Sequence, residues 1–344
     1  MKIALLAPFE ESVPPQKYGG TELIVYYLAQ LLSKKHSVFL FATGDSKTKA
    51  RLIPIFPRSI RKEKISQDMK IRESLKYMGI AKVVKELKKI KVDIIHNHMG
   101  WRFFPFTSFF PNPTVTTLHG PLDTEYAKFI HSWFREQALI SISNSQRVPL
   151  PNLNYTGTVY NGIDINNFEF NNKPGDYFAF LGRMSPEKGP VQAIQIAKAA
   201  GVKLKMAAKV DVADATFFEK EVKPLINKKQ IEFLGEIESQ EKSNFLKNAR
   251  GLIAPIQWAE PFGLFFVEAM ACGTPVITMN RGSAPEIIKN GKTGFVLNNI
   301  EEATNAVKSI DKIKREDCRK WVEKNFSAEI MVENYEKIYY QLIK

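Results

Sequence analysis

Short runs of consecutive apolar residues alternate along this chain with longer stretches whose apolar positions recur every three or four residues. The first kind predicts buried strands and the second amphipathic helices. In the first half, strands are expected at residues 2–8, 37–42, 92–98, 114–119 and 139–143. Helices are expected at 21–34, with Thr21 as N-cap after Gly19 and Gly20, and at 71–91, with lysines on the outer face. The second half repeats the rhythm, with strands at 177–182, 203–208, 230–234, 251–255 and 275–279. Its helices are expected at 186–200, 215–226, 240–248 and 263–271, and helices dominate after Ser283. Strands apolar throughout and set between helices predict parallel sheets covered on both faces. Residues 152–174, rich in Asn, Gly and Pro, read as a hinge. The expected fold class is therefore α/β: two doubly wound Rossmann-like domains facing a central cleft. Ligands in such sheets sit beyond the carboxyl ends of the strands, which directs attention to those loops.

Length and composition agree with two domains, since 344 residues of which 44% are hydrophobic can fill two cores. No apolar run approaches the roughly 20 residues of a membrane span. Glu10 and Glu11 follow the first apolar stretch where an export signal would still be apolar, which argues against secretion. Cys272 and Cys318 lack metal-ligand spacing, fitting a reducing cytoplasm, and Cys272 in its Ala/Gly setting reads as core. Charge changes the picture more. Residues 1–160 hold 23 Lys/Arg against 12 Asp/Glu, a net of +11, while the remainder nets only +2. Either an anionic partner of the first half or simple solvation of lysine faces explains this. Because the charge is mostly Lys on helix faces, without interleaved Arg and aromatics, no nucleic acid is expected. If a partner explains the charge, an anionic membrane surface is the one expected, with the cytoplasmic protein peripheral on its inner face; solvated lysine faces stay open as the other reading.

Glu260-Pro-Phe-Gly-Leu-Phe-Phe-Val-Glu268 carries the strongest chemical signal. Pro261 and Gly263 turn a loop into a helix, and Gly273 and Pro275 mark its exit. Eight helical residues span at most about 12 Å, comparable to a sugar and a ribose joined by a diphosphate. The helix start at Gly263 suits the diphosphate, Glu268 the ribose hydroxyls and Glu260 the sugar hydroxyls. Arg183 ends a strand and Lys188 lies in the following turn, where Ser185 is expected as N-cap and Pro186 at the first helical position. Fixed cations there would stabilise a leaving diphosphate. Tyr18-Gly19-Gly20-Thr21-Glu22 joins a strand to a helix without the spacing of a dinucleotide fingerprint; it is either a simple turn or a close backbone approach to a phosphate or sugar. His119 follows a strand end. His96, His98 and Asp123 lie nearby, but neither a helical HxxxH pair nor a cysteine accompanies them, so no metal site is expected. His98, Asp123 and Ser143 are candidate acceptor contacts, with core hydrogen bonding as the alternative for His98 and Asp123.

These residues resemble the family 4 glycosyltransferases, retaining enzymes of the GT-B fold, over essentially the whole length. Glu260 to Glu268 looks like that family's E-x7-E motif, Gly182–Arg183 and Lys188–Gly189 like its diphosphate-binding Arg and Lys, Gly19–Gly20 like its glycine loop, and His119 like the histidine that reaches the donor sugar. Asn161-Gly-Ile-Asp164 resembles the opening of its second domain. The resemblance implies an acceptor-binding domain at 1–160, a donor-binding domain at 161–327, and a final helix at about 328–344 crossing back to the first. It implies His119, Arg183, Lys188 and Glu260 as catalytic residues. The expected donor contacts are Gly19, Gly20, Arg183, Lys188, Lys209, Glu260, Phe262, Gly263, Leu264 and Glu268. It departs from the family at Ala207-Ala208-Lys209-Val210-Asp211, where many members carry a glycine-rich turn. The expected reaction is front-face transfer of a hexose to a sugar, glycan or glycolipid hydroxyl. GDP-mannose is placed ahead of UDP-glucose on frequency alone, and the nucleotide base is open. No cofactor is expected to be essential; no D-x-D element is present, and Mg2+ would only ease nucleotide release. A sugar-nucleotide epimerase of the same fold, or a non-enzymatic binder of anionic ligands, are the alternatives.

Overall fold

The computed structural model describes residues 1–16 and 19–343, without the side chains of Ser239 and Gln240. Tyr18, named above with the glycine loop, lies outside the described residues. The chain falls into two compact units, Met1–Gly162 with Ala328–Lys344, and Ile163–Ser327.

The first unit is built on seven strands, β1 (Lys2–Leu6), β2 (Ser37–Ala42), β3 (Arg51–Pro54), β4 (Ile94–Asn97), β5 (Thr114–Thr117), β6 (Ala138–Ser141) and β7 (Tyr155–Thr158). They lie in the order β3-β2-β1-β4-β5-β6-β7, with every pairing parallel. Helices α1 (Gly20–Leu32), α2 (Met69–Leu87) and α3 (Glu125–Trp133) connect them. β1 is an apolar run because helices cover both faces, with Ile3, Ala4, Leu5 and Leu6 all fully buried, whereas β4 and β5 bury His96, Asn97, Thr116 and Thr117 toward their carboxyl ends. α2 closes one face, where Ile80, Val83 and Leu87 pack with Leu6, Phe41 and Ile95.

The second unit holds β8 (Tyr177–Arg183), β9 (Lys203–Lys209), β10 (Ile231–Gly235), β11 (Ala249–Ala254), β12 (Val276–Met279) and β13 (Gly294–Leu297). Their order is β10-β9-β8-β11-β12-β13, again all parallel. Its helices are α4 (Pro190–Ala200), α5 (Ala215–Phe217), α6 (Ser239–Lys247), α7 (Leu264–Ala271), α8 (Ala284–Ile287), α9 (Ile300–Lys308) and α10 (Arg315–Asn325). The last helix, α11 (Ala328–Leu342), belongs to the first unit. It is fixed there by the fully buried Tyr335 and Tyr339 and by a 2.7 Å contact between Glu336 and His36. Gly157 on β7 leaves the room that the Ile338 side chain fills, since a Cβ there would lie 2.7 Å from Ile338 Cδ1.

Both sheets reverse strand order once, between β1 and β4 and between β8 and β11. A crevice beyond the carboxyl ends opens at such a reversal and is where ligands of this architecture bind.

Several local expectations need correction. α1 starts at Gly20 with Gly19, not Thr21, as its N-cap. The turn carrying Lys188 is a separate 3-10 turn, Pro186–Lys188, and α4 begins anew at Pro190. The helix expected at 215–226 breaks into α5, a π turn and a 3-10 turn, because Pro224 cannot donate to an α-helical ladder. β3, β7 and β13 were not anticipated. All three are edge strands, half-covered and short, so they carry no continuous apolar run.

Gly189 separates the Lys188 turn from α4 with φ at 71°, and a Cβ there would overlap the Pro255 carbonyl oxygen. Gly189→Ala is expected to lower the unfolding free energy by roughly 2–3 kcal/mol, read as a fall in the urea midpoint.

Candidate functional site

At the reversal of the second sheet, two loops meet. Arg183 is the last residue of β8, and the 3-10 turn after it carries Lys188. The loop after β11 carries Glu260. The Lys188 ammonium is paired with the Glu260 carboxylate, which also accepts from Trp258 Nε1 at 3.2 Å. The same ammonium lies over the Trp258 ring at 5.0 Å and the Phe265 ring at 5.1 Å. Glu260 is therefore buried yet matched by a cation and a donor, the condition under which a carboxylate tolerates burial. Ser283 holds this loop from behind, its N–H donating to the Glu260 carbonyl at 2.9 Å and its hydroxyl to the Phe262 carbonyl at 2.8 Å.

Gly263 is the N-cap of α7 with φ at 79° and no capping side chain, so the helix start presents backbone donors rather than a side-chain oxygen. Phe262 is buried beneath it and Leu264 is the first residue of the helix. One turn further, Glu268 is buried and paired with Lys242 Nζ of α6 at 2.8 Å. Arg183 pairs with Glu187 and, through Nε, with Asp214 at 3.0 Å. β9 continues to Lys209, in register with Arg183, and Lys209 pairs with Asp211 at 3.3 Å. Asp211 in turn accepts from the Val212 N–H, so the segment where a glycine-rich turn was absent is closed by an acid-capped 3-10 turn. Trp258, Phe265, Ser283, Asp214 and Lys242 were missed in the sequence. Only Trp258 and Ser283 carried a usable signal, next to Glu260 and inside the turn-prone Gly282-Ser283-Ala284-Pro285.

In the first unit, the carboxyl ends of β4 and β5 bring three imidazoles together. His98 Nδ1 lies 2.9 Å from His119 Nε2, and His98 Nε2 lies 3.2 Å from His96 Nδ1. His96 also meets Tyr339 Oη of α11 at 2.6 Å and Thr117 Oγ1 at 2.7 Å. Burial pushes the His96 pKa down to about 3 and that of His119 down to about 4, and drives His98 well below its ordinary value. The cluster is thus neutral at neutral pH and its nitrogens share protons as hydrogen bonds. His98 and Ser143 were expected to touch an acceptor. Both are buried, His98 between two imidazoles and Ser143 with its Oγ accepting from the Gln146 N–H at 3.1 Å. Asp123, by contrast, is exposed, and His119 is half-buried. Gly19 approaches so closely that a Cβ would lie 2.7 Å from Pro15 Cβ and 3.1 Å from a Glu22 carboxylate oxygen. Glu22, quoted above only as part of the loop, is buried at the start of α1. Among the described residues, no group of three or more His, Cys, Asp or Glu is arranged to hold a metal ion.

Two Rossmann-like units, with cations and paired glutamates at the strand reversal of the second, define the class: a GT-B-type, nucleotide-sugar-dependent glycosyltransferase. Residues 163–327 match the family described as Glycosyl transferases group 1, and residues 18–167 match Glycosyltransferase Family 4. The chain belongs to glycosyltransferase family 4. Spore coat protein SA of Bacillus subtilis (strain 168) is 24% identical over 397 residues, covering 98% of this chain and 99% of that protein. Among solved structures, a sucrose-phosphate synthase from Thermosynechococcus elongatus superposes with a TM-score of 0.78 at 20% identity, over 99% of this chain and 98% of that one. Anabaena HepE in complex with UDP-glucose does so with a TM-score of 0.74 at 19% identity, over 99% of this chain and 100% of that one.

Burial raises the Glu22 carboxyl from its ordinary 4.5 to about 7, opposed by its own backbone N–H and by Arg61 and assisted by Glu11 and Glu10. Between those values the folded chain holds a proton that the unfolded chain releases. Its contribution to stability is therefore complete below 4.5 and is lost as pH rises through about 7. Glu22→Gln is expected to raise the thermal midpoint at pH 8 and to leave it nearly unchanged at pH 4.5. Equal shifts at both pH values would contradict this.

Proposed function

We propose that this chain transfers a hexose, with retention of configuration, from a nucleoside diphosphate sugar to a hydroxyl of a sugar, glycan or glycolipid. The observation that carries the proposal is the meeting of Lys188 with Glu260 beside the uncapped start of α7. A diphosphate at that start takes up the Leu264 backbone dipole and competes for the Lys188 charge. Releasing Lys188 frees the Glu260 carboxylate to accept from sugar hydroxyls. Arg183, with Lys209 beside it in register, supplies the second positive group. Glu268, one helical turn on, holds the ribose. The second unit is thus assigned the donor and the first the acceptor, with Asp123 its exposed polar contact. Gly19 and Gly20 allow a backbone approach to the donor, and His119, neutral as described, offers a hydrogen bond rather than a charge.

In the reaction, the acceptor oxygen bonds to the anomeric carbon on the face from which the diphosphate departs. The breaking C–O bond leaves its electron pair on the phosphate, whose oxygen takes the acceptor proton. Positive groups fixed before the reaction stabilise the charge that develops, so the chain's own cations do this work and Mg2+ eases only nucleotide release. Of the two hexose donors expected, UDP-glucose is favoured by the complex described for Anabaena HepE; the frequency argument for GDP-mannose has no such support. The basic first unit suits a peripheral position on an anionic membrane, and no helix among the described residues is long and apolar enough to cross one.

The test is transfer from UDP-glucose and GDP-mannose to simple sugars, with product configuration read by NMR and with chelator present. Lys188→Ala is expected to lower kcat by about 10²–10³-fold, and Glu260→Gln to lower it by a similar factor. His119→Ala is assayed alongside. Turnover near wild type in both Lys188→Ala and Glu260→Gln, or an inverted product, would overturn the proposal.

A further inference from the structure

One surface of the first unit is neither core nor part of the site above, and its composition is unusual. Met78 of α2 is 64% exposed, and Met69 at the start of that helix and Ile65 just before it are similarly open. On α3, Tyr126, Phe129 and Trp133 follow one another at helical spacing and are 57%, 62% and 71% exposed. Trp101, half-buried against the core of Phe104, Leu118, Leu122 and Leu139, lies between Tyr77 and Tyr126. Its ring lies 6.5 Å from Tyr77 of α2 and 5.9 Å from Tyr126, and Phe129 in turn lies 6.3 Å from Trp133. Large exposed apolar groups gathered on one side of a unit cost solubility unless something covers them.

The charge around this band identifies the cover. Residues 58–91 hold 12 Lys/Arg against 4 Asp/Glu, a net of +8; Arg61, Lys62, Arg72 and Lys76 pair with Glu11, Asp45 and Glu10 outside that stretch, so the excess at the surface is carried by the outer lysines of α2. Lys70, Lys82, Lys85, Lys88 and Lys89 are all exposed. Lys88 lies over the exposed Phe109 ring at 5.4 Å, and the Arg102 guanidinium over Trp101 at 5.0 Å, so cations and aromatics are interleaved. Tryptophan and tyrosine favour the headgroup region of a bilayer, phenylalanine and methionine the acyl boundary beneath it, and lysines the anionic surface around them. A folded protein partner would more commonly meet an aromatic core with an acidic rim of fixed shape, but a run of flexible lysines fits a fluid anionic surface.

We propose that the Tyr77–Trp101–Tyr126–Phe129–Trp133 band, framed by the α2 lysines, is a docking surface for an anionic phospholipid bilayer. It gives the peripheral position proposed above a definite face. Trp101 and Tyr126 follow the carboxyl ends of β4 and β5, so a docked membrane meets the end of the first sheet to which an acceptor is assigned. The docking itself stands whatever sugar is transferred.

The full chain is floated with phosphatidylcholine vesicles, with and without phosphatidylglycerol, at low and high salt. Binding is expected only with the anionic lipid, weakened by salt, and accompanied by a blue shift of tryptophan emission. The double variant Phe129→Glu/Trp133→Glu changes only exposed positions and is expected to abolish flotation while keeping the thermal midpoint. Lys85→Glu/Lys88→Glu is expected to weaken binding by at least roughly fivefold per lysine. Thermal shift by UDP-glucose, measured in the same variants, is expected to be unchanged and reads the donor proposal separately. Flotation by the aromatic variant equal to wild type, or no flotation by the wild type on either vesicle, would overturn the proposal. So would a dimer in sedimentation that those same substitutions dissolve in the absence of vesicle binding.

Discussion

The ion pair between Lys188 and Glu260 links the loop after β8 to the loop after β11, and the candidate site of the second unit is organised around it. Burying two charges is expensive, and their attraction offsets that cost only when the remaining polar atoms are also satisfied. Here Trp258 Nε1 donates to the carboxylate, and the faces of Trp258 and Phe265 receive the ammonium. Ser283 fixes the backbone of the same loop at two carbonyls, and Gly282 lets that backbone pass close to Glu260. On the proposed reading, an anion at the α7 start would meet a counter-charge already held in place, so little reorganisation would be needed as charge develops on a leaving group.

The first unit solves a different problem, which is to keep three imidazoles uncharged. His96 and His98 are buried and His119 is half-buried, burial lowers the pKa of all three, and α11 closes over His96. Its Tyr339 hydroxyl closes on His96, and Thr117 donates to Tyr335 at 3.2 Å. Removing α11 would therefore uncover the cluster as well as the sheet, which explains physically why the last helix folds onto the first unit although it follows the second in sequence. On the opposite balance, Lys70, Lys82, Lys85, Lys88 and Lys89 of α2 and its end are exposed near open aromatic rings, while Lys76 is held by Glu10 and Glu73.

Much of this was legible in the sequence where local pattern and tertiary role agree. Strands such as β1 and β2 carry unbroken apolar runs, Ile3–Leu6 and Val38–Ala42, because both faces are covered, so their pattern survives unaided. Pro261, Gly263 and Gly273 punctuate α7, so the spacing of Glu260 and Glu268 could be read as a loop-and-helix start. Edge strands were not legible, because β3, β7 and β13 have one side open and include Pro54, Gly157 and Gly294. Nor were the partners of the charged groups. Lys242 lies 26 residues from Glu268, and Asp214 lies 31 from Arg183, with nothing in either local sequence to announce the pairing. The burial of Ser143 was hidden, since a strand end looks the same in sequence whether it opens to solvent or is covered, while core hydrogen bonding had been one of two readings for His98.

The central claim is that Lys188 meets a diphosphate, and calorimetric binding of UDP and uridine, or of GDP and guanosine, to the wild type and to Lys188→Ala tests it most directly. The account predicts that the variant loses affinity for the diphosphate by at least about tenfold, near 1.4 kcal/mol, while nucleoside binding is unchanged. Equal losses for nucleoside and nucleotide, or none for either, would contradict it.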